Sequence, residues 1–496
     1  MRTVAVVGSG AAGLSAALAA RLGGAEVTVY ERAEKLGGTT ALSGGNGWFP
    51  ANRFLEDDTP ELALKYLRAI SLGDANDALL EVFVQQARVA VDFLSEHTPI
   101  EWQPIPYADY HAHLEGGREE GGRTLEPQPL LPTPRVADLL RDAPNVSAPI
   151  TYAELAGGDI DRDALRARIE QGIVTMGRGL LAGLLEACLE AGVTIRTGVR
   201  VRTRPDADAV ILATGGFERD PELSKAFLRG PLLAPVGAPT AEGDGLRMAM
   251  AAGAALGNMS EAWWCPAYML PGETIDGTPM ARLILTERAR PGSLIVDGTG
   301  RRFIDEAQNY SDFGRTMLNF EATTFSFPHI PAWLVFDGAY RSRYRLGPLG
   351  RRDPDPSWLA RGETPAELAA EIGVPADALE ATIARFNDGA ERGEDPDFGR
   401  GSFPYDRFIG ELGPLNGGPY FALELLPGAL STKGGPRTDA DGRVHAADGT
   451  GPIPGLYAAG NVAASLFGFA YPGAGGTLGP ILTFGLRAGA AAAADH

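Results

Sequence analysis

Apolar positions near the N-terminus change period within thirty residues. Val4-Ala5-Val6-Val7 is a short continuous apolar run, the pattern of a strand buried on both faces. Gly8-Ser9-Gly10-Ala11-Ala12-Gly13 follows at once and opens a small-residue helix through Ala20, and a second strand pattern covers Glu26 to Tyr30. Two similar runs ending in glycine come far downstream, Ala209 to Gly216 and Pro454 to Asn461. Strands separated by helices predict an α/β fold with a Rossmann-like parallel sheet. Here the sheet is discontinuous: residues 1–257 and 434–496 read as one domain, and residues 258–433 as an inserted α+β domain.

Inside the insertion the pattern changes, with Trp263-Trp264, Trp333, frequent proline and hairpin signals. Ser293 to Val296, the turn Asp297-Gly298-Thr299-Gly300 and Arg301 to Ile304 read as a β-hairpin. Thr364-Pro365-Ala366-Glu367 predicts a capped helix start with proline at the first helical position, and Gly373 its end. Leu379, Ile383 and Phe386 predict the buried face of another helix.

The first glycine turn has the spacing of a dinucleotide fingerprint in its proper strand-to-helix setting. Gly8 permits the tight turn, Gly10 lets a pyrophosphate approach the helix N-terminus beside Ala11 and Ala12, and Gly13 lets the helix lie close on the sheet. Glu31, followed by Arg32, ends the second strand at the spacing of an acid that accepts from a ribose hydroxyl. A second loop, Gly38-Thr39-Thr40 and Ser43-Gly44-Gly45, offers amides and hydroxyls for phosphate and a flavin ring, which favours FAD over a nicotinamide. Val201 is expected near the adenine. Ala213-Thr214-Gly215 and Gly460-Asn461 complete the expected cofactor set.

Length and charge narrow the partners. A chain of 496 residues predicts two domains, and a net charge of -19 opposes nucleic acid and anionic bilayers, leaving small molecules as expected partners. The two cysteines, Cys188 and Cys265, give no disulfide framework and no metal-ligand spacing, and Cys188 reads as core filler. The first strand begins without a charged leader or cleavage site and no apolar run reaches membrane-spanning length, so a cytoplasmic enzyme is expected.

Candidate chemistry concentrates in Tyr471-Pro472-Gly473-Ala474-Gly475-Gly476-Thr477-Leu478-Gly479-Pro480, which supplies a phenol and closely spaced amides without a charged side chain. Such donors suit a neutral carbonyl oxygen that gains negative charge during reaction. A carboxylate would call for arginine. Gly476, Thr477 and Leu478 are expected to serve the flavin as well. Two other tyrosines stand out, Tyr310 after the Arg301–Ile304 segment and Tyr110 in Tyr107-Ala108-Asp109-Tyr110-His111. Trp48, Phe49, Trp263, Trp264, Met269 and Phe467 are apolar candidates for a sterol-sized pocket.

The nucleotide pieces together resemble the FAD-binding fold of the fumarate reductase and ketosteroid dehydrogenase superfamily. The run Gly38 to Gly45, Asp109-Tyr110 ahead of Gly122-Arg123-Thr124, Pro331 to Asp337, Thr432-Lys433-Gly434-Gly435 and Tyr471 to Gly475 resemble the 3-ketosteroid Δ1-dehydrogenases, in the same order. One departure is that only Val199 to Asp208 separate Gly198 from Ala209, where many relatives have a longer excursion. The resemblance implies 1,2-desaturation of a cyclic 3-ketone with electrons passing to FAD. It further implies that the Tyr471 hydroxyl and Gly475 amide hold the ketone oxygen, that Tyr310 takes the proton beside it, and that Tyr110 supports Tyr310.

Alternatives are a desaturase of smaller cyclic ketones, a fumarate reductase or succinate dehydrogenase type, and a flavin binder without turnover. Tyr310 and Tyr471 stand where the dicarboxylate enzymes carry arginine, and Arg315 reads as a structural ion pair. Histidines to clamp a dicarboxylate are scarce: His97, His111, His113, His329, His445 and His496. No second GxGxxG lies between a strand and a helix, so the electron acceptor is expected to be a quinone or another protein.

Overall fold

Val4 to Val7 are buried because their strand lies inside a six-stranded sheet rather than at its edge. Its strands are β1 (Thr3–Val7), β2 (Glu26–Tyr30), β3 (Thr194–Arg196), β4 (Ala209–Leu212), β5 (Arg443–His445) and β6 (Pro452–Ala458). They lie in the order β5-β6-β4-β1-β2-β3, parallel except for β5 against β6. The structure, a computed structural model, describes residues 1–146, 148–158 and 160–495, and of residue 408 the backbone; His496 lies outside the described residues.

Helix α1 (Ala11–Leu22) follows β1, α2 (Met176–Glu190) precedes β3, α3 (Asp244–Ala251) follows β4, and α4 (Leu478–Ala494) ends the chain. Small residues in α1 and α4 let the two helices meet backbone to backbone. A Cβ at Gly485 would stand 2.3 Å from Ser15 Oγ, and one at Gly489 2.1 Å from the Ala16 carbonyl oxygen. The chain ends of β1 and β4, adjacent in the sheet, therefore lie beside the start of the C-terminal helix.

The chain divides into two compact units, Met1–Leu228 with Gly237–Ala262 and Ser431–His496, and Arg229–Val236 with Trp263–Leu430. In the second unit a seven-stranded sheet orders Thr278–Leu283, Ala262–Ile275, Tyr420–Thr432, Ala332–Asp337 and Ser293–Val296, with Ala360–Gly362 antiparallel and Ala234–Pro235 parallel to Tyr420–Thr432. Alternation sends Leu294, Val296, Val335 and Ala422 into one cluster with Leu368, Leu379, Ile383 and Phe386, and sends Ile295, Leu334, Phe336 and Phe421 into another. The capped helix forms over Pro365–Ile372, with Thr364 accepting from the Glu367 amide and Gly373 in the left-handed region at φ 73°.

The hairpin expected from Ser293 to Ile304 does not form. The Asp297 turn is present, but Ser293–Val296 pairs with Ala332–Asp337, and Arg301 to Ile304 carry no strand. Arg302 instead donates to Glu306 at 2.7 Å and to Asp395 at 2.8 Å, both buried. A buried guanidinium held by two carboxylates directs the chain after the turn away from hairpin pairing.

Close by, Asp305 and Asp406 form a buried carboxyl pair, and burial, helped by the Asp406 charge, pushes Asp305 well above the ordinary carboxylate range. The folded carboxyl thus keeps a proton that the unfolded chain releases. Its contribution to stability is complete below the ordinary carboxylate range and is lost as pH rises through the raised value. Thermal midpoints are expected to fall between about pH 4 and about pH 8 through this pair, and Asp305→Asn should flatten that fall. An equally steep fall in the variant would assign it to other groups.

Candidate functional site

A cleft opens at the C-terminal ends of β1 and β4, where connections leave the sheet in different directions, the usual ligand position in such sheets. Its lining includes Gly8, Gly10, Ala11, Ala12, Glu31, Arg32, Gly38, Thr39, Thr40, Val201, Ala213, Thr214, Gly215, Gly460 and Asn461. Fifteen expected cofactor residues are therefore brought together from separate stretches of chain. Gly13, Ser43, Gly44, Gly45, Gly476, Thr477 and Leu478 fall outside this lining. Ser43 Oγ accepts from the Gly45 amide, and a Cβ at Gly45 would stand 2.3 Å from the Met176 carbonyl carbon, so this part of the loop seats the start of α2.

The glycines separate by what they face. Gly8 has φ 112°, and a Cβ there would stand 2.2 Å from the Ala213 carbonyl oxygen; at Gly13 it would stand 1.9 Å from the Gly8 oxygen. At Gly10 a Cβ would meet nothing nearer than Thr40 Oγ1 at 3.6 Å. The protein itself does not need a glycine at that helix N-cap, but a phosphate pressed against the first amides of α1 does. Thr214 Oγ1, also at the cleft, is buried without a hydrogen-bond partner. Open space over a helix N-terminus and an orphaned hydroxyl fit a dinucleotide.

Glu31 is held rigidly at the cleft. Its carboxylate accepts from Ser9 Oγ at 2.6 Å, the Ser9 amide at 3.2 Å and the Ala33 amide at 2.9 Å, which fixes the carboxylate plane and leaves acceptor capacity. Ser9 Oγ also accepts from the Gly37 amide at 3.0 Å, and Thr40 Oγ1 from the Ala11 amide at 3.2 Å, binding the second glycine loop to the first. Ser9 occupies a variable position of the fingerprint, and its only signal in the sequence is a hydroxyl there with an acid ending the next strand.

The C-terminal loop is fixed from several sides. The Pro472 carbonyl accepts from the Tyr66 hydroxyl at 2.6 Å and the Tyr110 amide at 3.1 Å, the Ala474 carbonyl from Thr124 Oγ1 at 2.8 Å, and the Gly475 carbonyl from the Trp48 amide at 2.9 Å. Gly475 has φ 84°, and a Cβ there would stand 2.6 Å from the Asn46 carbonyl oxygen. Tyr471 and Tyr110 pack edge to face, ring centroids 5.3 Å apart, and the Tyr471 hydroxyl lies 3.1 Å from Thr477 Oγ1. From the other direction, Lys433 Nζ donates to the Phe469 and Ala470 carbonyls at 2.7 and 2.8 Å, just before Tyr471. Glu218, pushed up to about 7 by burial, accepts from Ser431 Oγ at 3.1 Å and steadies the strand end leading to Lys433.

Behind the loop sits a buried charge cluster that local patterns did not reveal. Arg123 donates to Asp58 at 2.9 and 2.6 Å and to Asp109 at 2.7 Å, while Trp48 Nε1 donates to the other Asp109 oxygen at 2.7 Å. The guanidinium also lies over the rings of Trp48 and Tyr66. Trp48 and Phe467 both pack against Phe83, and Phe49 packs against Trp102, so these three pocket candidates are occupied by core contacts.

Tyr310 belongs to the second unit. It opens the helix Tyr310–Thr316, where Asn309 accepts from the Ser311 and Asp312 amides at 3.1 and 3.0 Å. Gly314 lets that helix lie on the strand Ala262–Ile275, since a Cβ would stand 2.3 Å from the Cys265 amide nitrogen. Arg315 lies in its last turn. Among the described residues no three His, Cys, Asp or Glu side chains gather to hold a metal, and no helix is long and apolar enough to cross a membrane.

Comparison with known proteins agrees with this construction. The family described as FAD binding domain matches residues 3–478. The chain is 41% identical over 535 aligned positions to 4-oxocyclohexanecarboxylate 2-dehydrogenase of Sinomonas cyclohexanicum, covering 98% of this chain and 92% of that one. It is 36% identical to 3-oxosteroid 1-dehydrogenase of Mycobacterium tuberculosis, covering 98% and 97%. The crystal structure of 3-ketosteroid Δ1-dehydrogenase from Sterolibacterium denitrificans, in complex with 1,4-androstadiene-3,17-dione, superimposes over both whole chains with a TM-score of 0.92 at 32% identity. The chain belongs to the 3-ketosteroid Δ1-dehydrogenase family. Like that family it is an FAD-dependent oxidoreductase of mixed α/β fold within the fumarate reductase flavoprotein superfamily.

Two substitutions separate cofactor binding from folding in this family member. Gly10→Val should purify without FAD but with the apoprotein's unfolding midpoint intact, whereas Gly8→Val should lower that midpoint, because a Cβ at Gly8 would overlap the Ala213 carbonyl oxygen at 2.2 Å while one at Gly10 makes only ordinary contact at 3.6 Å. Yellow, FAD-loaded Gly10→Val would displace the phosphate assignment. Arg123→Met leaves two buried carboxylates without their cation and should cost about 3–5 kcal/mol in urea unfolding; a change under about 1 kcal/mol would mean that the cluster does not hold the loop.

Proposed function

We propose that the protein introduces a 1,2 double bond into a cyclic 3-ketone, as in 3-ketosteroid Δ1-dehydrogenation, with residues 258–433 as the substrate domain. The observation carrying this reading is the composition and bracing of the Tyr471–Pro480 loop. It has no charged side chain, and four hydrogen bonds to its carbonyls hold it in place. Such a loop presents a phenol and an amide at fixed positions, donors matched to one oxygen on which charge develops.

In this mechanism the Tyr471 hydroxyl and Gly475 amide donate to the ketone oxygen. These bonds strengthen as the carbon beside the ketone loses its proton and the oxygen takes on enolate character, each worth about 3 kcal/mol. Tyr310 receives that proton on its phenolic oxygen. An ordinary phenol has a pKa of about 10, so a tyrosine base needs stabilisation of its anion, which Tyr110 supplies as a second phenol donor. The edge contact of Tyr110 with Tyr471 and the hydrogen bond from its backbone N–H to the Pro472 carbonyl support its membership of this set. Bound FAD supplies the two-electron acceptor for the hydride leaving the neighbouring carbon. Gly476, Thr477 and Leu478, at the turn into α4, are assigned to the flavin side of the loop.

A second reading, desaturation of a smaller oxo-ring, is favoured by the 41% identity to an enzyme named for 4-oxocyclohexanecarboxylate. Both readings share the ketone donors and differ in ring size. We assign the reaction to the cytoplasm, supported by the two free, buried cysteines, and its electrons to a quinone or protein acceptor.

Anaerobic mixing of the yellow enzyme with androst-4-ene-3,17-dione, 4-oxocyclohexanecarboxylate and succinate tests both readings. Bleaching by the steroid supports the first, bleaching by the small ring alone the second, and bleaching by succinate alone removes both. Tyr471→Phe and Tyr310→Phe should each retain FAD and slow bleaching at least about a hundredfold. Near-normal bleaching in the Tyr310 variant would take that residue out of the mechanism.

A further inference from the structure

Beside the Glu31 end of the nucleotide cleft, four charged side chains from three stretches of chain form a lattice absent from any sequence motif. Arg200 donates through Nε and Nη2 to both Asp244 oxygens, at 2.8 and 2.7 Å, and Nη2 lies 2.7 Å from Glu242. Arg32 donates to the same Glu242 oxygen at 2.9 Å and lies 3.6 Å from Asp244. Arg32 and Asp244 themselves line the cleft, as do Val199 and Val201 on either side of Arg200.

The backbone around Arg200 has little else to hold it. The Val199 amide donates to the Glu31 carbonyl at 2.8 Å, continuing the β2–β3 pairing, but residues 200–207 form no strand and make no further backbone–backbone hydrogen bond. Packing of Val201 and Ala207 against the cluster containing Val7 and Leu212, and a hydrogen bond from Arg204 Nη2 to the Pro454 carbonyl at 2.9 Å, are its other restraints. The short connection from Gly198 to Ala209 therefore crosses the cleft wall as a strap. Its attachment to the start of α3 is ionic.

We propose that Arg200, through Asp244 and Glu242, latches this strap to α3 and Arg32 across the nucleotide cleft, so that FAD leaves only when the latch opens. Arg200 is a positioning residue here and needs no contact with the cofactor. The arms are two cations against two anions, and all four side chains remain partly exposed. Glu242 is held below the usual carboxylate range by the hydrogen bond from Arg32, so it stays charged at neutral pH. Partly exposed pairs are screened by salt, with a Debye length of about 10 Å at 0.1 M and about 3 Å at 1 M. Hydrogen bonds and packing inside the cleft are much less sensitive to salt, so latch opening has its own signature.

The test is the rate at which the holoenzyme releases FAD, followed by flavin fluorescence after dilution in about 0.05 M and about 1 M NaCl. Wild type is expected to release FAD about tenfold faster in high salt. Arg200→Gln should release it at the fast rate in both buffers, Glu242→Gln should behave likewise, and Arg200→Lys should restore much of the salt response. Thermal midpoints of the apo forms separate this from general loosening, since the latch predicts little change there. Slow release from both Gln variants in low salt, or equal salt acceleration in all four proteins, overturns the proposal.

Discussion

Both ends of the nucleotide site depend on the close contact of α1 with α4 in the first unit. Gly485 faces Ser15 and Gly489 faces Ala16 at distances that exclude even a methyl group. Interiors this dense transmit position rather than absorb it. The glycine turn that opens α1 and the loop that opens α4 are therefore registered to one another although they lie near opposite ends of the chain.

The loop before α4 illustrates how a neutral site is held by charge placed elsewhere. Tyr471 to Pro480 carries no ionised side chain, yet the carbonyls on and before it are clasped by Tyr66, Tyr110, Thr124, Trp48 and Lys433. Behind Trp48 and Tyr66 the Asp58–Arg123–Asp109 cluster fixes the segments that supply these donors. Buried ions are costly to leave unpaired and tolerate few alternative geometries, so the cluster favours a single arrangement of its neighbours. Donors aimed at a developing oxyanion benefit most when they need not reorganise.

Elements with strong local signals were legible in the sequence. β2 runs from Glu26 to Tyr30 as its strand pattern indicated, the Thr364 cap and Gly373 stop bound their helix, and most residues of the expected FAD-binding set line one cleft. The failure at Arg301 to Ile304 has a definite cause. A turn sequence specifies only its own four residues, and the path of the chain after this one was decided by Glu306 and by Asp395, which is distant in sequence. Trp48 and Phe467 were equally ambiguous, since an aromatic residue packs as well into a core as around a ligand.

By itself the sequence determined the quantities that depend on adjacent residues: strand and helix periods, the glycine turn over which a phosphate fits, and a Tyr471 loop without charge. Tertiary structure alone decided which glycines serve the fold and which leave space for a ligand, because that depends on atoms across the gap. It also decided that Ser9 braces Glu31, that Arg123 sits behind the loop, and that Arg200 reaches Asp244 and Glu242. Ion pairs and hydrogen bonds of this kind join side chains whose spacing along the chain follows no period, and only the folded backbone brings them within reach.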